Sequence, residues 1–298
     1  MYKETAREVL DFIQRSPSCF HAVAEIGRQL EAAGFKRLRE TEKWSVEKGG
    51  AYYTTRNGSS LIAFRVGREL DDYHFQVTSS HCDSPTFKVK EMAEVKGKGG
   101  YLQLNTEGYG GMICSTWMDR PLSLAGRVLV REGSAITSRL LAFDRDLLII
   151  PSVAIHMNRN VNDGAAYNKQ VDMLPLFSAG ECGENSYRRL LAEELGVEEE
   201  AILGSDMYLY SRTAPSIWGA AEEFISSPKL DDLQCAYTSL KAMIQGENDH
   251  CVTVYACFDN EEVGSGTKQG ACSTFLRDVL QRLNAGLGLD GEDYCRAV

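Results

Sequence analysis

The feature that most constrains this chain is the run Cys251-Val-Thr-Val-Tyr-Ala-Cys-Phe258, which ends directly on Asp259-Asn260-Glu261-Glu262. Apolar side chains at nearly every position, several of them β-branched or aromatic, predict a strand buried on both faces. Such a strand lies inside a sheet that has helices on both sides. The flanking sequence agrees. Residues 3–15 and 19–33 have amphipathic helical spacing, with Ser18 as N-cap and Gly34 as stop. Asp231 or Asp232 opens a third helix running to about Ile244, and a fourth is expected from about Gly270. Ala51–Arg56 and Ser60–Val66 flank Asn57-Gly58, the turn pair of a tight hairpin, and His74–Ser80 reads as a further strand. The expected fold is α/β, a mixed sheet flanked by helices.

Between residues 86 and 226 the texture changes. Thr86–Val95 alternates, glycines cluster at 97–100 and 108–111, and short strand-like runs recur at Ser123–Arg131, Leu147–Pro151 and Asp206–Ser211. One helix, Ser186–Leu195, interrupts them. The pattern predicts a β-rich domain over 86–226 inserted into an α/β domain made of 1–85 and 227–298. A length of 298 residues suits one large or two ordinary domains.

Charge and cysteine usage narrow the function. The 32 basic and 42 acidic residues leave a formal net charge of −10, which disfavours a phosphate track or an anionic membrane surface as partner. No apolar run approaches the roughly 20 residues that span a bilayer. The N-terminal stretch Tyr2-Lys-Glu-Thr-Ala-Arg-Glu carries charges and lacks a signal-peptide core. Nine scattered cysteines without a CxxC pair read as reduced thiols in a cytoplasmic protein.

Three polar clusters lie at strand ends or a helix start, where open α/β sheets build their sites. In His81-x-Asp83 two side chains on extended chain point the same way. The pair suits a zinc-binding imidazole with a carboxylate fixing its tautomer; taken alone, it is more often a surface histidine beside an Asp-Ser-Pro turn. Asp231-Asp232 suits a carboxylate bridging two metals, though two acids at a helix start are more often N-cap and first-turn partners of the dipole. In Asp259-Asn-Glu261-Glu262 neighbouring acids aim differently, so one glutamate can ligate while the other serves as general base. A solvated acidic loop fits the same residues. His21 is expected to pack on its helix, and His74 and His250 to be structural; His156, near a strand end, fits either role. Gly264–Gly270 lacks a nucleotide-binding spacing, and neither HExxH nor G-x-S-x-G occurs.

Six segments, taken in order, resemble the M18 aspartyl aminopeptidases, a family of dinuclear zinc peptidases. They are Ser80-His-Cys-Asp-Ser-Pro85, Tyr109-Gly-Gly-Met-Ile-Cys-Ser-Thr-Trp-Met-Asp-Arg120, Leu124-Ala-Gly-Arg-Val128, Ile149-Ile-Pro-Ser-Val-Ala-Ile-His-Met157, Lys229-Leu-Asp-Asp-Leu233 and Phe258-Asp-Asn-Glu-Glu-Val-Gly-Ser265. The resemblance implies a zinc-peptidase-like sheet and two Zn²⁺ per active site, held by His81, Asp231 and Glu262. Imidazole and carboxylate ligands also suit Mn²⁺ or Co²⁺. It further implies Asp83 as the carboxylate orienting His81, Asp231 as bridge with a cis bond to Asp232, and Glu261 as general base. His156 would reach a neighbouring subunit's site and hold substrate, and the inserted domain would build a homo-oligomer. The implied reaction is zinc-dependent removal of N-terminal Asp or Glu from peptides.

The pattern also departs from that family. Its members continue past the equivalent of Val298 and supply two further ligands there, an Asp and a His; no histidine follows His250 here. Three of five expected protein ligands are therefore identified. The expectation is a C-terminally incomplete catalytic domain, with a catalytically silent fragment acting only through oligomerisation as the alternative to an active enzyme.

Overall fold

The computed structural model describes residues 2–298. The chain divides into two compact units, one running to Ser84 and resuming over Pro215–Val298, the other Pro85–Ala214. The first unit opens with helices α1 (Tyr2–Gln14) and α2 (Cys19–Ala32), then strands β1 (Lys36–Arg37), β2 (Ala51–Arg56), β3 (Ser60–Val66) and β4 (Phe75–His81). The second carries β5 (Thr86–Lys96), β6 (Leu102–Tyr109), β7 (Leu122–Glu132), β8 (Ala135–Ala142), β9 (Leu176–Ser178), α3 (Ser186–Leu195) and β10 (Ile202–Ser211). The first unit then resumes with β11 (Ser216–Trp218), β12 (Phe224–Ser226), α4 (Leu230–Gln245), β13 (Val252–Phe258), α5 (Phe275–Gly286) and α6 (Gly291–Ala297).

In the first unit five strands order as β1-β2-β3-β13-β4. The run from Val252 is the inner strand β13, antiparallel to β3 and parallel to β4, with Phe258 paired to His81. One face carries Ile62, Phe64, Val252, Val254, Ala256 and Phe258 against Phe275, Val279 and Leu283 of α5. The other turns Leu61, Ala63, Tyr255 and Cys257 toward α2 and α4, and all four are buried. The buried Tyr255 hydroxyl donates to the Ala236 carbonyl of α4 at 3.0 Å, which lets a polar tip sit in that layer. Asn57 (φ 58°) and Gly58 (φ 68°) make the β2–β3 turn, where both residues need positive φ.

The second unit is a six-stranded antiparallel sheet, ordered β8-β7-β10-β5-β6-β9. Phe87, Leu104, Leu124, Val128, Met207 and Leu209 form its core with Tyr187 and Leu191 of α3. No helix among the described residues is long and apolar enough to cross a membrane.

Several local expectations are corrected. The return to the first unit falls at Pro215, not near 227, because the short β11–β12 hairpin belongs with α1, where Lys3 pairs with Glu222 at 2.8 Å. Leu147–Pro151 makes only isolated bridges at Leu148, Ile149 and Ile150 instead of a strand. The helix expected from Gly270 starts at Phe275, since Gly270 and Ser273 close turns on Thr267 and Gly270 and the Ser273 hydroxyl takes the Phe275 N–H. Ser18 is extended at the N-cap position, but its hydroxyl meets His21 Nδ1 at 2.8 Å instead of capping the backbone. The last helix, α6, adds an element that the sequence pattern did not predict; Asp290 and Asp293 form a reciprocal capping box at its start.

Candidate metal centre

The parallel register of β4 and β13 brings two distant polar clusters to one sheet end. His81 closes β4, and the chain turns so that the Cys82 N–H donates to the Phe258 carbonyl at 3.0 Å. Asp83 is next, with a side chain only 3% exposed. Its Oδ1 accepts the Glu261 N–H and its Oδ2 the Glu262 N–H, each at 3.2 Å. One buried carboxylate thus joins the His81 strand to the glutamate loop. That loop turns through Asn260 (φ 62°), whose Oδ1 accepts Thr267 Oγ1 at 2.7 Å and Gln269 Nε2 at 2.9 Å. A left-handed Asn is the common non-glycine solution for such a turn.

His81 is oriented from both sides. Its Nδ1 faces the Asp83 carbonyl at 3.1 Å and Asp83 Oδ1 at 3.3 Å, so this nitrogen carries the proton and Nε2 turns outward. Nε2 lies 3.3 Å from Asp231 Oδ1 and 3.8 Å from Glu261 Oε2. Asp231 stands at the start of α4, where it and Asp232 are non-helical and joined by a cis peptide bond. Ser84 Oγ donates to the Asp231 carbonyl at 3.2 Å. Ligand atoms of His81, Asp231 and Glu262 all lie within 4.8 Å of one another.

The charge balance of this cluster is negative. Burial alone would lower the His81 pKa, but the hydrogen bond to Asp83 and the charges of Asp83, Asp232 and Glu261 raise it to about 9. Burial, then the charge of Asp83, raises the Glu262 carboxyl above its ordinary range. Burial chiefly raises the Asp259 carboxyl to about 6. Among the described residues no lysine or arginine pairs with Asp231, Glu261 or Glu262. An imidazole and two carboxylates converging without a lysine or arginine are a donor set that fits a divalent ion such as zinc.

Five sequence candidates therefore come together: His81, Asp83, Asp231, Glu261 and Glu262. His156 belongs to the second unit, on an exposed turn (Ile155–Met157) beside exposed Val153, Ile155 and Met157. Sequence reasoning missed Asp232, whose Oδ2 accepts the His81 N–H at 3.0 Å. Nothing in the Asp231-Asp232 pair distinguishes a ligand from a residue that holds the ligand's neighbour. A second group, Glu69, Asp71 and His250, also lies within 4.8 Å, but all three are exposed. His250 Nδ1 is taken up by Asp71 at 2.7 Å, an ordinary surface pair that raises the imidazole's pKa.

Known proteins share this chain's sequence and fold. Residues 12–297 match the family described as aminopeptidase I zinc metalloprotease (M18). A probable M18 family aminopeptidase 2 of Clostridium acetobutylicum is 45% identical over 301 residues, covering 99% of this chain and 70% of the relative. A solved chain from the complex of Ape4 and Nbr1 superposes with a TM-score of 0.93 at 34% identity, covering 99% of this chain and 61% of that one. The mApe1 dodecamer of S. cerevisiae gives a TM-score of 0.83 at 27% identity, covering 96% and 67%. The chain thus spans about 70% of the bacterial relative and 61% of the Ape4-complex chain. A match along nearly the whole chain, together with the identity to the bacterial relative, shows that the chain belongs to the M18 family of aminopeptidase I zinc metalloproteases.

Proposed function

We propose that this chain carries the metal-binding core of an aminopeptidase that removes N-terminal Asp or Glu from peptides. The observation that carries the reading is the convergence of His81, Asp231 and Glu262 within 4.8 Å, at one end of the sheet. His81 and Glu262 would each hold one zinc ion and Asp231 would bridge two. Bound zinc supplies Lewis acidity and lowers the pKa of water toward about 7.

The chain's own residues do the rest. Asp83 keeps the proton on His81 Nδ1 and leaves Nε2 free to ligate. Through its two backbone hydrogen bonds Asp83 also fixes the stem of the glutamate loop. Glu261, 56% exposed and beside His81 Nε2, takes the proton of the attacking water and returns it to the leaving amine. His156 would serve a neighbouring subunit's substrate, with the second unit building a homo-oligomer; the exposed apolar residues around His156 and the dodecameric relative support this. Exposed thiols at Cys182, Cys235, Cys272 and Cys295 favour a reducing, cytoplasmic setting.

Kinetics with aspartyl, glutamyl and leucyl anilides, with and without chelator, test the proposal. Zinc-dependent release that favours the acidic substrates is expected. Turnover unaffected by chelation sinks the metal reading, and a leucyl preference sinks the specificity.

A further inference from the structure

Lys229 holds an unusual backbone conformation for a residue with a side chain. It occupies the N-cap site of α4 in the left-handed region (φ 58°, ψ 30°), which is costly for a residue with a side chain. The compensation visible in the structure is a tether. Lys229 Nζ donates to the carbonyl of Ser16, a fully buried residue in the α1–α2 turn.

The residues just after Lys229 form the segment that reaches His81. Leu230 leads to Asp231, 3.3 Å from His81 Nε2, and to Asp232, which accepts the His81 N–H at 3.0 Å. The Leu233 N–H returns to the Lys229 carbonyl at 3.3 Å and closes the segment into a loop. Beyond Asp232's bonds to His81 and to the Cys235 thiol, its polar contacts include this closure, the Ser84 hydroxyl on Asp231 and the lysine on Ser16. Of these, only the lysine joins the start of the segment to the α1–α2 turn; the fully buried Leu233 holds its far end.

We infer that Lys229 is a positioning residue that sets where Asp231 and Asp232 meet His81, by fastening the start of α4 to the α1–α2 turn. The inference rests on the reading of Asp231 as a ligand. Lys229→Met keeps an unbranched stem and removes the donor, while Lys229→Gly removes the tether and relieves the backbone strain. Hydrogen exchange of the metal-free chain reads the effect without zinc. In both variants the His81 N–H should exchange roughly tenfold faster or more, with β13 amides unchanged. Zinc affinity, measured by competition with a chromogenic chelator, should fall about 10- to 100-fold, the usual cost of losing a residue that orients a ligand.

Unchanged His81 exchange in Lys229→Met overturns the inference, as does a uniform rise across β13, which marks a merely structural lysine. Restored His81 protection in Lys229→Gly also overturns it, because the strain and not the tether would then be decisive. Asp231→Ala separates the two claims. If it binds zinc like the parent, the ligand reading falls, and His81 exchange still judges Lys229.

Discussion

Replacing Asp83 with Ala removes the single carboxylate shared by both halves of the centre. Oδ1 takes the Glu261 N–H and Oδ2 the Glu262 N–H, both at 3.2 Å, and His81 Nδ1 lies 3.3 Å from Oδ1. A hydrogen bond to a charged group contributes about 1.5–3 kcal/mol net, and a buried donor left alone costs about 1–3 kcal/mol. Asp83 is almost wholly buried, so removing it also relieves a desolvation cost. Glu261 is exposed enough for water to recover part of its loss. Two charged bonds at the low end of the range give a net destabilisation of about 3 kcal/mol. Urea unfolding of the metal-free protein measures this, with Trp44 in the first unit's core as reporter. Asp83→Asn, which keeps one acceptor oxygen, should lose about half as much. A loss below about 0.5 kcal/mol for Asp83→Ala would refute the claim that this carboxylate fastens strand to loop, because surface changes commonly fall in that range.

Three further outcomes are expected. Glu261→Gln should lower kcat by roughly 10²- to 10⁴-fold while bound zinc, counted by atomic absorption, stays at the parent level; near-parental turnover removes the general-base role. His81→Ala should abolish zinc binding in calorimetry, and unchanged stoichiometry counts against this ligand. His21, with its pKa held at about 4 by burial and then by the charge of Lys229, stays neutral in the fold while the unfolded imidazole titrates near 6.5. The folded pKa is depressed, so its contribution is present above the unfolded value and is lost as pH falls from about 6.5 to 4. His21→Gln should therefore flatten the fall of urea midpoints between pH 7 and 5, and an identical slope refutes this.

The inner strand and its helical cover were legible because burial on both faces leaves a plain mark at Val252–Phe258. The convergence of His81, Asp83, Asp231, Glu261 and Glu262 was legible in outline, since these acids and the imidazole stand where strands end or a helix starts. What one sequence hides is the division of labour between neighbours. Asp231 and Asp232 are identical in type, and only the backbone turn decides which faces Nε2 and which receives the His81 N–H. Ser18 shows the same ambiguity: a good cap residue, it spends its hydroxyl on His21. Leu147–Pro151 misled because its unbroken apolar run reads as a strand, whereas the segment buries only Leu148 and Ile150 and makes isolated bridges.

The pairing of Phe258 with His81 acts as a ruler. A strand's side chains alternate, so a one-residue insertion or deletion within β13 would swap its two buried faces, sending Tyr255 and Cys257 toward α5, and carry Glu262 away from the imidazole in the same stroke. Length variation in this strand cannot trade metal binding against folding, because both fail at once. Lineages that diverge in chemistry must do so by exchanging side chains on a fixed scaffold, or by lengthening loops elsewhere.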